Sequence, residues 1–291
     1  MQPEQCVLSI SGMGPSVSDG LTMSVWRTMV LTVLAWALVS LIAAENLRAA
    51  SIAEVMNNIR RQRQAADFRA EGRIVQVDGQ GARTSHRFTL KGKYLAQSLK
   101  LLWDVPGPKS SWLKLLIESF DGGQIRIRLA GAADSSIKEL MPQQWGDPFL
   151  GSALIYEDLI DGHLVWRTQE LLREEKYGAR NCYVIQSLPG PGEPSAYATV
   201  TSWIDRTIYV PVYVEKVLRK SGAKRTFVHS GLRQSKGVWG ARQVEVRDAG
   251  GSLAYLTLTR GSGKANLRLN DFDPRVLLNK SELGSGRNSI P

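Results

Sequence analysis

The hydrophobic pattern changes period at residue 67. Before it, Ile52, Val55, Met56 and Ile59 fall on one stripe of SIAEVMNNIRRQRQAA (51–66). That is the spacing of an amphipathic helix. Ser51 stands where an N-cap is wanted, with Glu54 three residues on to complete a capping box. Arg60, Arg61 and Arg63 lie toward the other end, where the helix dipole favours cations. The spacing predicts one helix over 51–66, docked on a sheet.

From Asp67 onward the period is two. FRAEGRIVQVD (68–78) alternates around Ile74 and Val77, and Asp78-Gly79-Gln80-Gly81 signals a hairpin turn before a return strand at 84–90. WLKLLIESFDGGQIRIRLA (112–130) reads as a second hairpin around Asp121-Gly122-Gly123. Further strands are expected at 164–173, 180–188, 197–205, 209–219, 224–232, 238–247 and 252–260. Turn signals such as Pro189-Gly190-Pro191-Gly192 and Asp248-Ala249-Gly250-Gly251 separate them. The connections are too short for parallel crossovers, so the pattern predicts an antiparallel meander. So many antiparallel strands must curl into a barrel, a half-barrel or a sandwich. A curled sheet has a concave face, and incomplete cover by helices leaves an apolar cavity there.

The first 49 residues stand apart. Met29 to Ala44 (MVLTVLAWALVSLIAA) is an uncharged apolar run, preceded by Arg27 and followed by small residues. This is the layout of a secretory signal, and the run is short for a spanning helix of about 20 residues. Cleavage is expected after Ala44 or Ala49, with an uncleaved inner-membrane anchor as the alternative, and Met23 reads as a more natural start than Met1. Residues 50–278 are then one exported domain and 279–291 a polar C-terminal tail. The chain has two cysteines, Cys6 in the leader and Cys182 beyond it. An exported domain with one cysteine has no internal disulfide and relies on its hydrophobic core. Lys and Arg number 37 against 27 Asp and Glu, a net charge of +10. Export argues against nucleic acid as the partner of this basic excess. The excess fits solubility, anionic headgroups or an acidic partner.

Residues that carry chemistry are sparse. His86, His163 and His229 are far apart, and none has a second ligand at metal spacing on its own element. Ser152, in LGSAL, lacks the nucleophile-elbow pattern. Cys182, in RNCYVIQS, reads as a small buried thiol. No phosphate loop or dinucleotide fingerprint occurs, so no cofactor is expected. The stretch FLGSALIYEDL (149–159) offers a Glu157-Asp158 pair. Adjacent residues point about 100° apart on a helix and to opposite faces on a strand, a poor geometry for an acid–base pair. The local reading is a short helix over 150–160 with Leu154, Ile155 and Leu159 facing the core. Glu157 and Asp158 would then pair with arginines or backbone amides.

FLGSALIYEDL, followed by a hairpin around Lys176-Tyr177-Gly178 and then RNCYVIQSLP, resembles the outer-membrane lipoprotein-sorting proteins, relatives of the Lol-type periplasmic lipoprotein carriers. Members of that family carry a GSDFSYEDL-like segment here. Next come a W-[IV]-D strand (Trp203, Ile204, Asp205) and a P-V-x-V-E strand (Pro211, Val212, Val214, Glu215). A turn with Gly222 and Lys224, a strand with Trp239 and a D-P…L ending (Asp273, Pro274, Leu277) complete the series. The resemblance covers residues 140–278, and 51–130 more loosely. Ala153-Leu154-Ile155 departs from the family's Asp-Phe-Ser/Thr, and 98–112 lacks its usual pattern.

The resemblance implies a mainly β (α+β) fold: a curved antiparallel sheet forming an incomplete β-barrel, with helices over its concave face. It implies a monomeric periplasmic carrier without catalytic machinery. Such a carrier shields the acyl chains of a lipid or lipoprotein between a membrane-transporter donor and an outer-membrane acceptor. Cavity-lining candidates are the alternating strand residues Ile74, Phe88, Leu115, Ile117, Ile125, Ile127, Leu129, Tyr183, Ile185, Trp203 and Val212. The two-residue period leaves core packing open for each. Leu154, Ile155, Tyr156 and Leu159 form the joint or lid. Arg126, Arg128, Lys216, Arg219, Lys220, Lys224 and Arg225 are candidates for anionic headgroups or a solvated face. Two other readings stand beside the carrier. One is an envelope-stress sensor or interaction module on the same scaffold. The other is a hydrolase acting on an envelope polymer, which would need convergent carboxylates or a Ser/His pair in the cleft.

Overall fold

The computed structural model describes residues 51–64, 66–108, 111–235 and 237–279. The expected signal sequence and almost all of the expected polar tail lie outside the described residues. Helix α1 (Ile52–Arg63) begins where its sequence predicts: the Ser51 side chain accepts a hydrogen bond from Glu54 N at 3.2 Å. Val55 and Ile59 are buried, while Ile52 and Met56 are half-buried. The helix ends at Gln64, whose N–H bonds Arg60 O at 2.9 Å.

Fifteen strands follow among the described residues. The first six are β1 (Phe68–Val77), β2 (Arg83–Leu95), β3 (Ser98–Pro106), β4 (Trp112–Phe120), β5 (Ile125–Gly131) and β6 (Asp134–Glu139). After a long connection come β7 (Thr168–Tyr177), β8 (Arg180–Leu188), β9 (Tyr197–Asp205), β10 (Pro211–Leu218) and β11 (Lys224–Ser230). The last four are β12 (Arg233–Ser235), β13 (Val238–Gly240), β14 (Gln243–Arg247) and β15 (Leu253–Gly263). Thirteen of them form one sheet in the order β6-β5-β4-β3-β2-β1-β15-β14-β11-β10-β9-β8-β7, while β12 and β13 form a separate hairpin. Its pairings are antiparallel, and the end strands β6 and β7 are not joined.

The sheet therefore curls without closing, as an incomplete barrel. Its curl brings Leu101 and Trp103 of β3 into one apolar core with Val214 of β10 and Phe227 of β11. The connection between β6 and β7 enters that core with Trp145, Phe149, Leu154 and Leu159. On the opposite face of β3–β5, Leu267, Phe272 and Leu277 of the C-terminal segment cover Leu102, Leu116 and Ala130.

Four details depart from the sequence reading. Strand β3 lies where no strand was expected, because Leu101 and Leu102 point to opposite faces and are both covered; two-sided burial masks alternation. Strand β6 is likewise additional. The strand expected from residue 164 starts at Thr168, after a 3₁₀ turn over Gly162–Val165. The strand expected over 238–247 splits: Trp239 pairs with Gln234 in the hairpin, whereas β14 returns to the sheet between β11 and β15.

Candidate functional site

Residues 149–159 form a joint of two 3₁₀ turns, Phe149–Gly151 and Tyr156–Leu159, in place of one short helix. Leu150 and Gly151 take consecutive left-handed conformations, φ 55° and 68°. This reversal lets Phe149 N reach Leu154 O at 2.7 Å. Ser152 Oγ closes the turn, donating to Phe149 O at 2.7 Å and accepting from Leu154 N at 3.1 Å. Leu154, Ile155 and Leu159 are buried as expected, and Tyr156 meets Phe149 edge-on at 5.6 Å.

Both carboxylates of the joint point inward. Glu157 accepts from Ser195 Oγ and Ala196 N, each at 2.6 Å. Burial raises its pKa against those two bonds. Asp158 is fully buried; its oxygens lie 2.7 Å from Arg225 Nη1, 3.0 Å from Lys216 Nζ and 2.5 Å from Tyr197 Oη. Burial alone would raise its pKa, but Lys216 and Arg225 outweigh burial and hold it below the usual carboxylate range. Arg225 also donates to Ala153 O and Tyr197 Oη. Lys216 Nζ sits 4.3 Å from the Phe227 ring centre and 5.1 Å from that of Tyr197, a cation–π arrangement.

A cavity of about 570 Å³ opens beside this knot, within the range of small-molecule sites. Its apolar wall includes Phe68, Leu90, Leu99, Leu101, Trp103, Val214, Phe227, Leu256 and Leu258 from the sheet. Helix α1 contributes Ile59, the joint Leu154 and Leu159, and the β12–β13 hairpin Val238 and Trp239. Gln62 Nε2 donates to Trp239 O at 3.1 Å and Arg63 Nη1 to Asp161 O at 3.2 Å. These two bonds tie α1 to the hairpin and to the chain just after the joint. Titratable groups on the wall include Arg63, Asp158, Asp161, Lys216 and His229, with Arg69, Arg233, Arg242 and Arg260 beside them. Burial lowers the His229 pKa to about 4 despite Asp161, and that of nearby His163 to about 3. Asp161 is held low because Arg63 and its other neighbours outweigh burial.

Of the sequence-expected site residues, Leu154 and Leu159 border this cavity, and the eleven strand candidates do not. Ile74, Phe88, Leu115, Ile117 and Ile127 are at most 1% exposed, with Ile125 and Leu129 packed against them. They belong to one core cluster with Trp145, Phe149 and Trp166 of the 140–166 connection and are core. Tyr183 and Ile185 are buried away from the cavity; Ile185 stands opposite Ser202, whose Oγ meets His163 Nε2 at 3.2 Å. Trp203 and Val212 lie on the other face, packed with Cys182 and Val184. Val200 faces the core, so the pleat turns Trp203 outward, and the register irregularity between Pro211 and Tyr213 turns Val212 outward as well. Among the basic candidates, Lys216 and Arg225 are buried. Arg126 and Arg128 pair with Glu139, and Lys224 with Glu215. Sequence reasoning missed Phe68, Leu90, Trp103, Leu258 and Trp239; the alternation Leu99-Leu101-Trp103-Val105 was the available signal. No group of metal-ligating side chains occurs among the described residues.

The curled open sheet with helix α1 has counterparts among solved structures. An outer membrane lipoprotein-sorting protein domain from Vibrio parahaemolyticus superimposes with a TM-score of 0.71 at 22% identity, covering 78% of this chain and 97% of its own. The chain has the lipoprotein-sorting fold. A DUF1329 family protein from Desulfovibrio piger shares this fold at TM-score 0.70 and 17% identity, over 79% of this chain and 100% of its own. A LolA superfamily protein from Nitrosomonas europaea shares it at 0.58 and 15%, over 77% and 98%. A family model described as "Uncharacterized protein" matches residues 133–277. No curated protein matches the sequence. Within the lipoprotein-sorting fold, the joint at 149–159 is the segment whose carboxylates brace the wall of the cavity.

Proposed function

We propose that this protein is a periplasmic carrier that shields the acyl chains of a lipid or lipoprotein, acting in outer-membrane lipoprotein sorting or lipid transport. The observation that carries this reading is the open, largely apolar cavity of about 570 Å³ on the concave side of a lipoprotein-sorting fold. Each methylene moved from water into such a wall contributes roughly 0.8 kcal/mol, so a chain of about a dozen carbons gains on the order of 10 kcal/mol before entropy costs. Taking the chain from a bilayer gains little, since it leaves one hydrocarbon phase for another. Direction then comes from a donor, an acceptor or movement of the cover. The α1 cover suits this role: its side-chain bonds are worth about 0.5–1.5 kcal/mol from Gln62 to Trp239 O and about 1.5–3 kcal/mol from the Arg63 guanidinium to Asp161 O.

Binding is favoured over catalysis because Glu157 and Asp158 are both committed to internal partners. Export by a cleavable signal peptide belongs to the same reading; no helix among the described residues is long and apolar enough to cross a membrane. Native mass spectrometry of the protein, purified from an exporting host without detergent, tests the proposal. An adduct of lipid mass, lost on organic extraction, is expected. A clean apo mass that persists after incubation with liposomes and lipopeptide would overturn it.

A further inference from the structure

The titratable groups bordering the cavity are unbalanced. Six cations, Arg63, Arg69, Lys216, Arg233, Arg242 and Arg260, meet two carboxylates, Asp158 and Asp161. Asp158 is already shared between Lys216 and Arg225. Lys216 is 3% exposed, and its single hydrogen bond goes to Asp158, although an ammonium carries three donors. Two further wall residues hold buried nitrogens without a hydrogen-bond partner among the described residues: Nε1 of Trp103, which is 3% exposed, and His229 Nδ1. An indole N–H only donates, so what it lacks is an acceptor. Arg233 and Arg242 are exposed and make no side-chain ion pair among the described residues. A purely hydrocarbon guest would leave the Trp103 and His229 nitrogens and the remaining donors of Lys216 without a hydrogen-bond partner.

Resting on the carrier reading, we infer that the guest is an amphiphile with an anionic, oxygen-rich head, anchored by Lys216 within the cavity and by Arg233 and Arg242 beside it. Its acyl part lies against Phe68, Leu90, Trp103 and Leu258. The head supplies acceptors to the ammonium and to the rings beside it, and offsets the excess positive charge of the wall. Asp158 keeps Arg225 as its partner when Lys216 turns toward the guest.

The test uses full-length protein incubated with vesicles of phosphatidylglycerol or phosphatidylcholine of matched chains, read by native mass spectrometry at physiological salt. Phosphatidylglycerol is expected at half-occupancy at a concentration at least about tenfold lower. Palmitate in place of phosphatidylglycerol shows whether a carboxylate head serves as well as a phosphate; uptake of either anion over phosphatidylcholine supports the inference. Lys216→Met is expected to bind both phospholipids alike while still taking up phosphatidylcholine. Should that variant fail to fold, the exposed pair Arg233→Gln/Arg242→Gln is expected to reduce the preference at least threefold. Equal uptake of both phospholipids by the wild type overturns this inference and leaves the carrier reading standing. Uptake of neither overturns both. Inorganic phosphate that binds as tightly as the lipids marks a small-anion site, and overturns the amphiphile.

Discussion

Arg225 Nη1 lies 2.7 Å from Asp158 Oδ2, joining β11 to the 149–159 joint across 67 residues of sequence. Both side chains are at most 3% exposed. Removing one partner of a buried pair leaves an unpaired charge and costs about 3–5 kcal/mol. Arg225→Met is expected to lose about that much in urea unfolding. Asp158→Asn is expected to lose at least as much, since Asp158 serves Lys216 and Tyr197 as well. Glu157→Gln, which keeps an acceptor for Ala196 N, is expected to cost only about 1 kcal/mol. If Glu157→Gln proves the most damaging of the three, the joint is braced differently.

Stability is expected to fall with pH below neutrality. The folded-state pKa values of His163 and His229 lie at about 3 and about 4 because both are buried. Unfolded, each titrates near about 6.5. Between those limits the unfolded chain binds protons that the folded chain does not. Stability is therefore full above about pH 6.5 and declines by about 1.4 kcal/mol per pH unit per histidine on acidification. Asp158 and Asp161, whose folded-state pKa values are depressed, add a loss that begins as pH falls to their unfolded values of about 3.9 and continues through the lower folded ones. Urea midpoints from pH 7.5 to 4.5 measure the slope, and His163→Leu with Ser202→Ala is expected to reduce it by about half. An unchanged slope in that variant would remove His163 from the account.

Cavity capacity depends on a glycine. A Cβ at Gly92 would come within 2.2 Å of the Phe68 ring, which borders the cavity. Gly92→Val is expected to push that ring into the cavity, cost about 1–3 kcal/mol through overpacking and exclude longer acyl chains first. Uptake of saturated fatty acids of graded length checks this.

The C-terminal segment acts as a strap on the outer face. Phe272 and Leu277 are at most 1% exposed against Leu102 and Leu116. Leu277→Ala is expected to cost about 2–5 kcal/mol without changing acyl-chain selectivity. Urea unfolding and the fatty-acid uptake assay separate the two effects.

Sequence pattern carried the architecture further than the site. Ser51 and Glu54 placed the helix start because capping is local, and the hairpin glycines placed the turns for the same reason. The inward burial of Leu154, Ile155 and Leu159 was legible, as was the pairing of Asp158 with an arginine. The cavity wall was not. A two-residue period distinguishes the faces of a strand, but it does not say which part of the concave face is already filled. Ile74 and Leu115 share their face with Leu90 and Trp103, and only the path of the 140–166 connection decides which of them meets open space. Trp203 was misplaced for a different reason: its pleat position is fixed by Val200 and Ser202, which sequence alone does not orient.

The carrier reading places acyl chains in the cavity beside Asp158 and Lys216. Photo-crosslinking with a diazirine-bearing fatty acid, followed by peptide mapping, locates them. Labels are expected on peptides carrying Phe68, Trp103, Leu258 or Trp239, and they should disappear in competition with unlabelled lipid. Labels confined to the outer aromatic cluster of Tyr177, Trp203 and Tyr213, or spread without competition, would contradict the account.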